Sequence, residues 1–531
     1  MSDESPVTRQ RRRADHAWQL NSSWDRIYRD AYDFAIPYRR PGGQGRSQDV
    51  ADRLFDMTAP TSTMFLAGEL QTRLFSGAPK LETGALVAQA IGPKGKEKLD
   101  RELEKTGAFL YPFMQAGDLE TATHEMCTDL GIGTGVLIPM RGTPEQPIIF
   151  YAPPADEIAI MGDAFGRQKL LSWKRQVTAE GVIEAFPRGR FKAEFKEAAK
   201  TKPNAEFTLY QDFERMADGR WRFVAYLERE CDEFITEEYT FTKPIAVAPY
   251  YRVPGELRGR GPVMLAMPSI KTLNKAQELA LRAAAIQMLG IWAYRAGGTF
   301  NPDTVRVGPG QFWPMQSTGG ILGPDVQRLD PAAGRLDIGR MVIEGMQQQI
   351  RDGLMDTRLP SEQGTPKSAS EIAARIRQNA RVHLGGYARL WRSIHPVIVP
   401  RCAEILASFG YLRGVMNFNE LMVSVSVRSP ITSQIRADEL ANIASYIELI
   451  ITTFGPQRVD EFMFADEIAD QYSDALSIPK KLIPDTAARQ GIREQKMQAM
   501  QAMAVQEMAT KAAPQIVEKG FEVIDGGKAA A

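Results

Sequence analysis

Cysteine is scarce in this chain. Cys127, Cys231 and Cys402 are the only three among 531 residues. An odd number of widely spaced cysteines excludes a disulfide framework and points to a reducing compartment. Histidine is almost as rare, with His16, His124, His383 and His395. A metal centre needs several imidazole or thiolate ligands close together. Only His124 and Cys127 are neighbours, at i and i+3, and that pair reads as one half-buried helix turn. An excess of either charge is also missing. Lys+Arg and Asp+Glu are both 65, which excludes a histone-like protein that works by bulk positive charge. Long apolar runs are absent too. No stretch of about 18 uncharged apolar residues occurs, as a membrane span requires. The best attempt, 279–294, carries Arg282 and Gln287. The opening MSDESPVTRQRRR has no apolar core and does not read as a secretory signal. The expectation is a soluble protein made in the cytoplasm, with ordinary globular composition.

Catalytic signatures are missing in the same way. Gly92-Pro-Lys-Gly95-Lys96-Glu97 lacks the first glycine and the hydroxyl residue of a phosphate-binding loop. Gly131-Ile-Gly133-Thr-Gly135 has no strand–turn–helix context and its third glycine is misplaced for a dinucleotide fingerprint, so it reads as a turn into a sheet. There is no nucleophile elbow. The acidic pairs Asp232-Glu233 and Glu237-Glu238 read as a solvated face. The chain is expected to have no catalytic residue, no metal and no cofactor, and not to be an enzyme.

What is present is an order of elements. Residues 1–40 carry Trp18, Leu20, Trp24, Ile27, Tyr28 and Phe34 near helical spacing, and 50–135 reads as helices, with 94–105 a solvated helix start. Arg11-Arg12-Arg13 reads as a solubilising tail, with a nucleic-acid contact as the alternative. From Gly135 to Tyr251, short β-branched and aromatic stretches separated by turns predict an antiparallel meander with one helical insert near 182–200. Gly261-Pro262 opens a long alanine-rich helix reaching Tyr294. Its polar residues Lys271, Asn274, Lys275, Glu278 and Arg282 fall on one stripe, so the rest needs cover. Residues 297–334 are rich in Gly and Pro and can hold a strand or two. A second helix spans 335–356, and a polar break follows at 358–367. Ser368-Ala-Ser-Glu371 fits a capping box for a helix running to about Val399. One arc of that helix is apolar. The other bears Arg377, Arg381, Arg389 and Arg392, and no acid occurs between Arg375 and Arg401, a surface for a polyanion or an acidic partner. A strand at 421–427, helices from Ser433 to Ala475 and a Met-rich helix at 487–510 complete the chain. In the last, Met497, Met500 and Met503 form a soft contact stripe. The fold class is α+β, predominantly helical. Two helices bracketing an excursion make an antiparallel pair with more apolar surface than one partner hides, which repetition about an axis would cover.

Several blocks resemble the portal, or head-to-tail connector, proteins of short-tailed bacteriophages. They are Tyr251-Arg-Val-Pro-Gly-Glu-Leu-Arg-Gly-Arg-Gly-Pro262 with Met267-Pro-Ser-Ile-Lys-Thr-Leu-Asn-Lys275, then Lys367-Ser-Ala-Ser-Glu-Ile-Ala-Ala-Arg-Ile-Arg377, Ser429-Pro430, and an opening from Trp24 through Pro37 to Asp56-Met57-Thr58-Ala59. The resemblance spans most of 15–510. It implies a portal-type fold assembled as a ring of twelve at one capsid vertex, for genome packaging, head–tail joining and DNA ejection. Residues 1–261 would hold the N-terminal helices and β-rich wing. The stem helices would be 262–294 and 335–356, flanking an α/β clip at 295–334. A channel loop would occupy 357–368, a long wing helix and strand 369–430, and a helical crown and tail 431–531. Implied partners are copies of itself, double-stranded DNA in the channel, the terminase motor, the tail adaptor and the major capsid protein, with no membrane. The implied location is the portal vertex of the virion.

A conduit must hold DNA without gripping it, because each phosphate neutralised adds affinity through counterion release. The stem's balanced charge suits that. Lys271, Lys275, Arg282, Arg358, Lys367, Arg377 and Arg381 are the channel or DNA-facing candidates, with inter-subunit salt bridges as the competing role for the first three. Phe312 and Trp313 are candidate clip contacts to a partner. Two other functional classes stand beside this one: a DNA-binding oligomer using the arginine-rich helix 375–401, and an enzyme with an unrecognised site in the β-rich domain.

Overall fold

The computed structural model describes residues 5–39, 53–75, 77–228, 233–289, 291–294, 326–329, 336–356, 369–412 and 423–427 of one unit, Met1–Ile431. Of a second unit, Thr432–Ala531, it describes 440, 443–453, 468–469, 472, 484, 488–489 and 491–503.

The first unit opens with α1 (Pro6–Asn21) and α2 (Asp25–Ala35). Ser5 caps α1 by accepting from the Thr8 amide, and Pro6 sits at the first helical position, where its missing N–H costs nothing. Helix α3 (Thr58–Leu74), strand β1 (Pro79–Thr83), α4 (Ala85–Ala116) and α5 (Leu119–Ile132) follow. Gly92, read above as part of a failed phosphate loop, is a kink in α4 with φ of 69°, a left-handed conformation that suits glycine. Strand β1 was not foreseen. Its strand partner among the described residues, β12 (Val423–Val427), lies more than 300 residues away, and Pro79↔Val427 through Thr83↔Val423 pair antiparallel.

The predicted meander is two sheets. Strands β2 (Thr134–Arg141), β3 (Ile148–Tyr151) and β9 (Ala246–Pro249) form one, in the order β3-β2-β9. Strands β4 (Ile158–Gly162), β5 (Gln168–Thr178), β6 (Glu206–Arg215), β7 (Trp221–Leu227) and β8 (Thr236–Thr240) form the other, in sequential order. Every described pairing is antiparallel. The single predicted helical insert is two short helices, α6 (Ala179–Ala185) and α7 (Ala193–Thr201), separated by residues 186–192, which include Pro187. They cover one end of the larger sheet through Val182, Phe195 and Ala199 against Leu209, Ala225 and Leu227.

Arg11-Arg12-Arg13 is not a loose tail. Helix α1 lies on the larger sheet, with Val7 and Ala14 packed against Tyr210, Val224 and Tyr226. Arg13 makes a forked ion pair with Glu214, and Arg11 donates to the Glu228 carbonyl at 2.6 Å. Beneath them the buried Asp212 accepts from Gln10 Nε2 at 3.0 Å and from the Tyr226 hydroxyl at 2.9 Å. Charges that look like a tail in sequence are here spent on fixing a helix to strands 200 residues away.

Helices α8 (Pro262–Leu289) and α9 (Leu336–Gly353) pack together. The first expected helix ends at Leu289, not Tyr294. Residues 291–294 are strand β10 (Ile291–Tyr294), paired antiparallel with β11 (Val326–Leu329). Helix α10 (Ala369–Ser408) runs beyond the expected Val399, through Pro396 and Pro400. Its buried residues Tyr387, Leu390, Ile394, Ile398, Cys402 and Leu406 join α3, α4, α5 and the three-stranded sheet in the largest core cluster. Helical contacts that bury a face outweigh the loss of two backbone donors to proline. Ser368 of the capping box lies outside the described residues. In the second unit, 443–453 and 491–503 are helical, and Met497, Met500 and Met503 are all exposed.

Candidate functional site

The site is the α8–α9 hairpin and the joint that ties it to the β-rich region. The joint is made of glycine. The backbone of Gly131-Ile132-Gly133 at the end of α5 meets that of Gly259-Arg260-Gly261 just before α8. The Gly261 amide donates to the Ile132 carbonyl at 2.7 Å, and the Tyr250 amide to the Gly133 carbonyl at 2.8 Å. A Cβ at Gly133 would fall within 3.0 Å of the Gly259 carbonyl oxygen, and one at Gly261 within 3.0 Å of the Gly131 oxygen. Only a residue without a side chain allows this approach. The two glycine motifs that looked separate in sequence are two sides of one contact.

Arg258 locks the joint. It is 3% exposed, and among the described residues no carboxylate accepts from it. Its Nε donates to Asn21 Oδ1 and its Nη1 to the Ala155 carbonyl, both at 2.8 Å, and its Nη2 donates to the Ile158 carbonyl. The guanidinium stacks over the Tyr28 ring, 4.8 Å from its centroid. A buried cation is tolerated when each of its nitrogens finds an acceptor and an aromatic face supplies attraction. Beside it, Asp129 is fully buried, 3.0 Å from Arg39 Nη2, and accepts from the Tyr32 hydroxyl at 2.9 Å. Burial pushes the Asp129 carboxyl up, and the Arg39 guanidinium and Tyr32 hydroxyl oppose that.

The root of the hairpin is covered by this chain. Val263, Ile270 and Leu273 of α8 and Ile350 and Leu354 at the end of α9 pack on Tyr28, Ala31, Tyr32 and Ala35 of α2. Asn274 is not on a solvated stripe. It is buried, accepts from the Phe55 and Asp56 amides at 2.7 and 3.2 Å, and donates to the Arg53 carbonyl at 2.8 Å. On α9 Gln347 donates to Asp56 at 2.9 Å, and just past its end Asp356 accepts from Ser62 at 2.7 Å. The segment Arg53–Ser62 thus clamps both helices. At this end the cover comes from the chain itself. Away from this contact the apolar surface is open: Leu279, Leu281, Met341 and Val342 are exposed, Met341 by 75%, and Leu265 on the outer side of the root is exposed as well.

The sequence-nominated cations separate. Lys271 is held by Asp30 of α2 at 2.6 Å, with its ammonium 5.6 Å from the Phe34 ring. Lys275 and Arg282 flank Glu278 at 2.8 and 2.5 Å on the solvent side of α8, and Lys275 keeps Glu278 below the ordinary carboxylate range. Arg377 and Arg381 lie within α10. Arg358, Lys367, Phe312 and Trp313 lie outside the described residues. Of the other arginines on α10, Arg389 and Arg392 are exposed, while Arg401 pairs with Glu404 at 3.0 Å. His124 meets Gln71 at 3.1 Å, and Cys127 is buried. Sequence reasoning missed Arg258, Arg39 and Asp30. The signal for the first was its place between glycines in the block ahead of α8.

A family model described as bacteriophage head to tail connecting protein matches residues 8–483, through the joint and the hairpin together. The chain belongs to this family. No curated protein matches it. Two solved structures similar to the connector chain are 11% identical to it. One, from the virion of a native gene transfer agent particle, has a TM-score of 0.35, covering 83% of this chain and 98% of that one. The other, from the neck of an empty gene transfer agent particle, has a TM-score of 0.33, covering 76% and 90%. Among the described residues no helix of the connector chain is long and apolar enough to cross a membrane.

Proposed function

We propose that this connector protein is a portal: a closed ring of twelve copies at one capsid vertex, through which DNA enters during packaging and leaves during ejection. Helices α8 and α9 are its stem, the β-rich region its wing, 295–334 its clip, 357–368 its channel loop and 431–531 its crown. Its partners are further copies, duplex DNA, a packaging motor, a tail adaptor and the capsid shell, and its place is the virion. It carries out no chemistry of its own.

The observation that carries the reading is the asymmetry of the hairpin. Its root is fixed by Arg258, Asn274 and α2, while its far half presents Leu279, Leu281, Met341 and Val342 to solvent. A rigid element with an exposed apolar half is suited to packing on neighbouring copies about an axis. Lys275, Arg282, Arg358, Lys367, Arg377 and Arg381 are the candidates for the DNA side, with Phe312 and Trp313 for the clip. Lys271 fits a structural role better, since Asp30 neutralises it. Lys275 and Arg282 share one carboxylate, which suits a wall that grips phosphates weakly.

Negative-stain microscopy and light scattering of the purified chain test this. A ring with an aperture wide enough for a duplex is expected. Leu279→Lys with Met341→Lys should abolish the ring while leaving the melting temperature of the single copy unchanged. A monodisperse single copy of the unaltered chain refutes the reading.

A further inference from the structure

Helix α7 breaks the local rules of helix design along one stripe. Lys192 stands at its N-cap and makes no side-chain capping bond. Ser, Thr, Asp or Asn is preferred there, and a cation faces the positive end of the helix dipole. Lys196 and Lys200 follow at successive i+4 spacings, so these two helical positions lie about 40° apart and about 6 Å along the axis, with Lys192, whose backbone is extended, just ahead of them. Like charges at i and i+4 destabilise a helix. All three lysines are exposed, and among the described residues Lys196 and Lys200 form no ion pair. The helix's own carboxylates, Glu194 and Glu197, fall beyond the lysine arc. Arg188 and Arg190, both exposed, precede the stripe. Residues 186–202 hold six cations against two carboxylates, in a chain with no net charge.

The stripe is not a fluctuating end. Phe195 and Ala199 on the adjacent arc are buried, and Phe195 meets Phe191 and Phe207 at ring-centroid distances of 5.5 and 5.2 Å. A firmly seated helix that carries locally unfavourable charges on its open face is where a binding surface is expected. We infer that Lys192, Lys196 and Lys200, flanked by Arg188 and Arg190, form a sequence-independent docking stripe for the phosphodiester backbone of duplex nucleic acid. The residue type favours phosphate over protein: lysine is depleted in protein–protein interfaces, and its ammonium is a compact point charge suited to single phosphates. This surface is independent of the channel reading.

The test uses the full-length protein and a covalently closed duplex minicircle, which cannot thread a closed ring. Affinity is measured against salt for the unaltered chain, for Lys192→Gln/Lys196→Gln/Lys200→Gln, and for the charge-matched control Lys96→Gln/Lys98→Gln/Lys105→Gln. Glutamine keeps helix propensity, so an unchanged or raised melting temperature confirms that the stripe variant folds. Three phosphate contacts at about 0.9 each give the unaltered chain a salt slope steeper by about 2.7, or about forty-fold more affinity lost between 50 and 200 mM salt. The control should match the unaltered chain. Equal slopes for the unaltered and stripe-variant chains overturn the inference, as does an equal fall in the control. A stripe variant that loses binding to a polyglutamate peptide but keeps its DNA slope overturns it in favour of an acidic protein partner.

Discussion

His395 gives the sharpest test of how this core is held. It is buried on α10, and its Nε2 lies 2.8 Å from the Leu74 carbonyl, one of the orphan acceptors at the end of α3. Trp391 stacks on one side of the ring at 5.1 Å, and Phe75 lies 5.1 Å away. Burial lowers its pKa from 6.5 to about 4, and the Leu74 carbonyl only partly opposes that. The neutral ring is therefore the folded form. In the unfolded chain the same ring takes up a proton near 6.5, so the unfolded state gains protons first as the pH falls. Stability is complete above pH 6.5 and declines as pH drops toward 4. At about 1.4 kcal/mol per tenfold difference in proton affinity, the loss from this residue amounts to about 3 kcal/mol. The assay is a denaturant midpoint series at pH 7.5, 6.0, 5.0 and 4.0 for the unaltered chain and for His395→Gln. A glutamine amide can still donate to the carbonyl but does not titrate. The variant should be somewhat weaker at pH 7.5, because an amide fills the stacked slot poorly, yet lose about 3 kcal/mol less on acidification. Parallel pH curves for the two proteins would refute the reasoning.

Asp212 should act with the opposite sign. Burial raises its folded pKa to about 6 from 3.8, so its contribution is full below 3.8 and lost as pH rises through 6. Asp212→Asn should remove about 3 kcal/mol of that dependence, read from the same midpoint series. Arg258→Met keeps bulk but strands three acceptors, Asn21 Oδ1 and the Ala155 and Ile158 carbonyls. A loss of at least about 3 kcal/mol is expected by thermal melting, and a loss under about 1 kcal/mol would show that the joint is not held this way. Gly261→Ala should fail to give soluble protein, while Gly345→Ala on α9, where a Cβ meets nothing within 4 Å, should be neutral or slightly stabilising by expression and melting temperature.

Helix positions were legible where one face of one segment carries the information. The apolar arc of α10, the proline opening α8 and the β-branched runs of the sheets are all local periodicity, and each produced the expected type of element. The capacity of 135–251 for antiparallel strands followed from its turns, although its division into two sheets did not. The block from Tyr251 to Lys275 was legible as a resemblance, and the family match runs through it.

Tertiary structure decided what no window of sequence contains. Strand β1 exists because Val423–Val427 pairs with it from over 300 residues away. Asn274 and Lys271 have helical spacing suited to a solvated stripe, but Arg53–Asp56 and Asp30 meet them and turn them inward. Arg11 and Arg13 read as a basic tail until Glu214 and the Glu228 carbonyl come to hand. Periodicity says which side of a helix is apolar; it cannot say how far along the helix a neighbour reaches. Only the packed chain shows that α2 covers the root of the hairpin and leaves Leu279 and Met341 open, because cover depends on contacts between distant segments.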